Sequence, residues 1–150
     1  MNGYLLDTNI LIDWIRHFRR SRPKNEKQRF CQESAKELIE SLILDDQPLF
    51  TSCHTLKELL QYPHLSIEEE ARIIDKLPRF VGILSTTADV AQVAGMLSRQ
   101  SYEYREHHIE DCYIAATAIH YKLPLLTRNP DDYHYVEHPD LKISVPYQEP

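Results

Sequence analysis

The sequence predicts an α/β fold in three layers, with a mostly parallel central sheet of four to five strands flanked by helices. Two observations predict it. Short apolar runs at 4–6, 49–52 and 80–84 are each followed by a segment whose apolar residues recur at helical spacing, and a fourth run, at 124–127, follows such a segment. Strands that alternate with helices in this way join through crossovers into a parallel sheet. A length of 150 residues fits one domain, 1–150, with a core of ordinary size.

The elements follow in order. Tyr4, Leu5 and Leu6 end at Asp7, and Ile10, Leu11, Trp14, Ile15 and Phe18 then recur as on a helix face. Asp7 therefore stands at the carboxyl end of a strand, the edge of an open α/β sheet where ligands bind. A basic segment at 16–29 follows, with Pro23 marking a break between helices. Ser34 with Glu37 forms a capping-box pattern that predicts a second helix carrying Leu38, Ile39, Leu42 and Ile43, ended by Asp45-Asp46-Gln47-Pro48. The run at 49–52 leads to a helix with Leu56, Leu59 and Leu60, stopped by Tyr62-Pro63. Ser66 with Glu69 is another capping box, opening a helix that runs to about Lys76, before Pro78. A strand at 80–84 precedes a long helix over 85–98, with Val90, Val93, Ala94 and Leu97 on one face, extended by a polar stretch to Glu106. A small-residue helix opens at Ile109 and reaches His120 or Lys122. Asn129-Pro130-Asp131-Asp132 begins a short helical turn after the fourth strand, and 142–145 is a candidate fifth strand.

Composition narrows the classes. No apolar run approaches the ~20 residues needed to span a bilayer, and Met1-Asn2-Gly3 does not open a signal peptide, so a cytoplasmic location with no membrane partner is expected. Cys31, Cys53 and Cys112 are odd in number and widely spaced, which suits buried free thiols. His107-His108 reads as a solvated turn, because neighbours on a helix point apart. The net charge of −6 argues against broad attraction to nucleic acid, yet it is uneven. Residues 16–29 hold seven basic side chains against Glu26 alone, a net +6 that leaves −12 on the rest. Arg19, Arg20 and Arg22 in this segment are candidate phosphate contacts, against roughly even odds of a solvated helix extension.

Four acids stand where this architecture gathers side chains. Asp7 follows the first strand, Glu58 lies on the helix after the second, Asp111 near the start of the helix before the fourth, and Asp132 just after the fourth. Clustered carboxylates without Cys or His partners point to Mg²⁺ or Mn²⁺ and to hydrolysis of a phosphodiester by a metal-bound water. Each has a rival role. Glu58 completes a capping box with Thr55, while Asp111, Asp131 and Asp132 can complement helix dipoles. Asp7 alone has no capping duty that Thr8 or Asn9 would not meet.

The ordered series Leu5-Leu6-Asp7-Thr8-Asn9, Thr55-Leu56-Lys57-Glu58-Leu59, Asp111-Cys112-Tyr113-Ile114-Ala115-Ala116 and Leu126-Thr127-Arg128-Asn129-Pro130-Asp131-Asp132 resembles a PIN-domain protein, specifically a VapC-like toxin ribonuclease of a type II toxin-antitoxin system. The resemblance covers residues 3 to about 145 and implies a PIN-like sheet flanked by helices. It implies that Asp7, Glu58, Asp111 and Asp132 bind the metal and serve catalysis, with Thr8, Asn9, Thr127 and Asn129 in support. It further implies an RNA substrate, a cognate antitoxin that fills the site, and a homodimer. The adjacent pairs Asp131/Asp132 and Glu110/Asp111 are ambiguous by sequence alone; the family's spacing from Thr127 implies Asp132, and its motif, continued here by Ile114-Ala115-Ala116, implies Asp111. Tyr62-Pro63 and the long basic segment depart from the family pattern.

Two other classes fit parts of the sequence. A non-catalytic PIN-like module that binds RNA or protein would be free to lose acids, and all four are present. A haloacid-dehalogenase-like phosphatase would use Asp7 as nucleophile, but such sites resemble Asp-x-Asp and Asn9 stands at the second place.

Overall fold

The computed structural model describes residues 1–19 and 21–150. Five strands, β1 (Tyr4–Leu6), β2 (Leu49–Ser52), β3 (Gly82–Leu84), β4 (Leu125–Leu126) and β5 (Ile143–Ser144), form one sheet in the order β3-β2-β1-β4-β5. Every neighbouring pair is parallel. Seven α-helices flank it among the described residues: α1 (Thr8–Phe18), α2 (Glu26–Leu44), α3 (Cys53–Leu60), α4 (Ile67–Phe80), α5 (Ala88–Gln100), α6 (Tyr102–Glu106) and α7 (Ile109–Tyr121). A 3₁₀ helix covers Pro130–Tyr133. None of these helices is long and apolar enough to cross a membrane.

The strand order steps outward from β1 to β3 and resumes on the other side of β1 with β4. β1 and β4 therefore flank the topological switch point, where crossovers leave to opposite sides and open a crevice at the carboxyl edge. Successive side chains of a strand take opposite faces. Leu5 and Leu125 enter the apolar layer under α5 and α7, with Leu97 and Ile114, whereas Leu6 and Leu126 enter the layer under α1 and α2, with Leu11 and Ile39. Covered on both sides, β1 and β4 need apolar residues at every position, which explains runs without alternation. Cys31 and Cys112 are buried free thiols, and Cys53, also free, is half-buried.

Several boundaries differ from the sequence reading. α2 starts two turns before Ser34, because Asn25 caps it by accepting the Gln28 N–H at 2.8 Å. α4 passes through Pro78 to Phe80 instead of ending near Lys76. The proline removes one hydrogen bond, but buried Ile73 and Leu77 and the edge-on packing of Phe80 against Trp14, with centroids 5.4 Å apart, hold the final turn. β3 accordingly begins at Gly82 rather than Phe80, and α5 begins after Thr87, whose hydroxyl accepts from Val90 N–H at 3.3 Å. The helix expected to run on to Glu106 breaks at Ser101, which ends α5 in extended backbone and caps α6 through Tyr104 N–H. That break turns Tyr104 into the core, where its hydroxyl donates to the Asp132 carbonyl at 3.0 Å.

Gly3 enters β1 with φ +118°, and a Cβ there would stand 2.3 Å from the Pro48 carbonyl oxygen. The same carbonyl accepts Tyr4 N–H at 3.0 Å and starts the β1–β2 ladder. Gly95, within α5, would place a Cβ in open space. Gly3→Ala is thus expected to destabilise by about 1–3 kcal/mol through strain and a displaced ladder, and Gly95→Ala to stabilise by roughly 0.5–1 kcal/mol through helix propensity. Denaturant unfolding of both variants checks the pair.

Candidate metal centre at the sheet edge

Asp7 is almost fully buried between the ends of β1 and β4 and is itself the N-cap of α1, contrary to the expectation that Thr8 or Asn9 would serve. Its Oδ1 accepts Thr8 N–H at 2.8 Å, and its Oδ2 accepts the Thr127 hydroxyl at 2.8 Å and Asn9 Nδ2–H at 3.2 Å. One carboxylate thus caps the helix with one oxygen and ties β1 to the loop after β4 with the other. Burial raises the Asp7 carboxyl above its ordinary range, the bonds from Thr127 and Thr8 oppose this, and the charge of Asp132 adds to it.

Around Asp7 the supporting residues interlock. Thr127 Oγ1 accepts from Asn129 N–H at 3.1 Å while donating to Asp7, and Asn9 Oδ1 accepts Arg128 N–H at 3.3 Å. Asn129 thus contributes through its backbone; its side chain makes no capping bond to the 3₁₀ helix.

Glu58 lies in the second turn of α3 and faces Thr8, whose hydroxyl donates to it at 2.9 Å. The capping box with Thr55 does not form: Ser52 caps α3 by accepting His54 N–H at 3.0 Å, so Thr55 is already inside the helix. Burial raises the Glu58 carboxyl, Thr8 opposes, and Asp7 and Asp111 add to the rise. Asp111 sits in the first turn of α7, bonded to His108 Nδ1 at 3.1 Å. Burial pushes it up to about 6 against that bond, with further contributions from the charges of Asp132 and Asp7. Asp132 is half-buried and also raised by burial, while His108 lowers it. The four acids come from four separate elements and each is electrostatically coupled to at least one other.

The neighbouring acids point elsewhere. Asp131 is exposed and faces His134 at 3.4 Å, and Glu110 pairs with His54 at 2.8 Å and Lys57 at 3.5 Å.

His108 does not lie in a solvated turn. His107 is exposed, but His108 turns inward across the break between α6 and α7, and its ligand atom lies with those of Asp111 and Asp132 within 4.8 Å of one another. Its position three residues before Asp111 was the available signal, since residues i and i+3 share a helix face. A second element invisible in the sequence is buried Asp13 on α1, which accepts Arg128 Nε at 2.7 Å and the Tyr147 hydroxyl at 2.9 Å. This bond pins the loop that carries Thr127, Asn129 and Asp132 onto the helix that follows Asp7.

Of the basic trio, Arg19 pairs with Glu69 of α4 at 3.0 Å, Arg22 is exposed, and Arg20 lies outside the described residues. Arg19 stands at the far end of α1 from Asp7, about 16 Å along its eleven residues at 1.5 Å each.

Two expectations follow. A carboxyl whose folded pKa is raised from 3.8 to about 6 adds stability below pH 3.8 and loses it as pH rises through 6. Without added cations, Asp111→Asn should therefore raise Tm at pH 7.5 by roughly 2–6 °C, after discounting for solvent screening, and the gain should shrink below pH 6 in melting curves. Asp13→Ala leaves Arg128 half-buried without its carboxylate and should cost about 3 kcal/mol or more in chemical denaturation.

Comparison with known proteins adds three kinds of finding. No curated protein matches the chain at a comparable level of significance. Among solved structures, a chain of a toxin-antitoxin complex from Klebsiella pneumoniae is similar, at 26% identity and TM-score 0.65, over 97% of this chain and 99% of that one. Chains of FitAcB from Neisseria gonorrhoeae (23%, TM-score 0.67, 95% and 97%) and of DNA-bound VapBC from Salmonella typhimurium (20%, TM-score 0.68, 98% and 100%) share the fold. The model of the PIN domain matches residues 4–137, so the chain belongs to the PIN domain family.

Proposed function

We propose that the chain is a divalent-metal-dependent endoribonuclease and the toxin of a toxin-antitoxin pair in the cytoplasm. The observation that carries this reading is the convergence of Asp7, Glu58, Asp111 and Asp132 on the carboxyl edge at the switch point, each carboxyl raised by burial. Membership of the PIN domain family supports nuclease chemistry, and the toxin-antitoxin complexes among similar structures support an antitoxin partner.

The donors suit Mg²⁺ or Mn²⁺. They are hard carboxylate oxygens on an open edge, raised in pKa by burial and one another, and they need a cation to stay ionised together. The buried Tyr133 hydroxyl, aimed at Asp7, has no hydrogen-bond partner of good geometry, which suits a site where a further polar group enters. A bound cation would neutralise the phosphodiester and activate water for attack on phosphorus. The chain's own part is to fix the acids: Thr8 orients Asp7 and Glu58, Thr127 and Asn9 hold Asp7, and Tyr104 holds Asp132 by its carbonyl.

The basic segment fits a partner surface better than an RNA contact. Arg19 is engaged by Glu69 and flanks an apolar cleft between α1 and α4, formed by Trp14, Phe18, Leu77 and Phe80, at the end of α1 remote from the acids. The homodimer rests on family resemblance.

Asp132→Asn, whose side chain is not part of the Asp7 network, should keep the fold and lower RNA cleavage by at least ~10²-fold; Asp7→Asn should do the same. Mapping RNA ends after induction of wild type and variants tests this, and cleavage by both variants at the wild-type level would overturn the acidic-centre mechanism. Robust Mn²⁺ binding without cleavage of any RNA pool would instead favour a non-catalytic module. Replacing Arg19 and Arg22 by Gln should leave the salt dependence of RNA binding unchanged and weaken antitoxin binding; a flattened salt slope would restore them as RNA contacts.

A further inference from the structure

We propose that His108 is a metal-binding nitrogen of this centre, making it a mixed imidazole and carboxylate site that favours Mn²⁺ and the later first-row ions over Mg²⁺. This deepens the metal-centre reading and rests on it. Nδ1 of His108 lies 3.1 Å from Asp111 Oδ2, and a ligand atom from each of His108, Asp111 and Asp132 falls within 4.8 Å of the others. That spacing allows three donors to close on one ion at bond lengths of about 2.0–2.3 Å.

The ring is held as metal-binding histidines are held, by a partner on the nitrogen that faces away. Nε2 lies 3.3 Å from the Tyr135 hydroxyl and 3.8 Å from Glu103 Oε2. The Tyr135 ring also covers the imidazole, with centroids 4.8 Å apart and planes inclined by 35°. Tyr135 packs edge-on against Tyr104 at 5.7 Å, and Tyr104 holds the Asp132 carbonyl. One aromatic chain thus fixes both His108 and Asp132. The backbone cooperates: His108 N–H donates to Glu103 O at 2.7 Å, closing the end of α6 so that the ring turns toward α7.

The alternative role is a hydrogen bond that merely orients Asp111, and the two differ in chemistry. An imidazole ligand adds a borderline donor, which favours Mn²⁺ and its successors while Mg²⁺ gains little. An orienting donor would serve every cation alike and could be replaced by an amide.

The test measures cation binding by the intact, metal-stripped protein, separately from cleavage. Mn²⁺ and Mg²⁺ affinities are determined by calorimetry for wild type, His108→Ala and His108→Gln, and pulsed electron paramagnetic resonance on the Mn²⁺ samples reads coupling to a ligating ¹⁴N. The expected result is ¹⁴N coupling in wild type that vanishes in both variants. Mn²⁺ affinity should fall at least ~10-fold, with Mg²⁺ affinity changing much less. Bound Mn²⁺ without nitrogen coupling, or coupling that survives His108→Ala, overturns the assignment, as does rescue by His108→Gln. The wild-type spectrum decides even if a variant folds poorly. If Mn²⁺ binds without nitrogen and Asp111→Asn abolishes it, the acidic centre stands and only His108 is wrongly assigned. If wild type binds no Mn²⁺ at millimolar concentration, the metal-centre reading falls with it.

Discussion

A carboxylate buried at the point where β1 and β4 part is the constraint on which the rest of the site depends. Asp7 is 3% exposed, and an ionised carboxylate so deep is tolerated only if its lone pairs are filled. The strand ends supply what is within reach: the first free N–H of α1, a hydroxyl just after β4 and an amide from the first turn of α1. Thr8, Asn9 and Thr127 are therefore chosen by the same requirement. Once Asp7 is held, its charge and that of Asp132 raise Asp111, and Asp7 and Asp111 raise Glu58, a repulsion that a cation would relieve in the proposed metal centre.

A second, drier set of contacts keeps the edge in register. Asp13 is 1% exposed and binds both Arg128 and Tyr147, so a residue on α1, the loop after β4 and the segment after β5 meet at one carboxylate. A buried pair of this kind adds little net stability over an apolar substitute. Its value is directional, because the planar guanidinium fixes where Arg128 and its neighbours Thr127 and Asn129 can lie. On the opposite flank, the break at Ser101 serves the same end by sending Tyr104 inward to the Asp132 carbonyl.

Much of this was legible in the sequence where the signal was local. The period switch at Asp7 located the first strand end, and uninterrupted apolar runs announced strands covered on both faces; the five-stranded parallel sheet follows from them. Capping patterns were less reliable. Ser34-x-x-Glu37 and Thr55-x-x-Glu58 both lie inside helices, because Asn25 and Ser52 reach the free N–H groups first. The role of His108 is hidden in the sequence because His107-His108 reads as one solvated pair, whereas the chain breaks between α6 and α7 and only His108 turns inward. The Asp13–Arg128–Tyr147 contact could not be read at all, since it joins residues more than a hundred positions apart through burial alone.

α1 links these parts, because its length separates two surfaces that it also couples. Its first turn carries Thr8 and Asn9 against Asp7 and Glu58, its middle carries Asp13 against Arg128, and its last turns carry Trp14 and Phe18 against Phe80 of α4. Phe18 and Phe80 remain 54% and 41% exposed, so the far end offers apolar area while the near end offers charge. Buried Ile10, Leu11 and Trp14 fasten this helix of eleven residues to the core along its length. Under the toxin-antitoxin reading proposed above, an antitoxin seated on the aromatic end would lie about 16 Å from the acids, a distance that roughly five residues of extended chain would span. On that reading, one short segment would reach from the apolar cleft to the acidic edge, anchored by apolar contact at one end and by charge at the other.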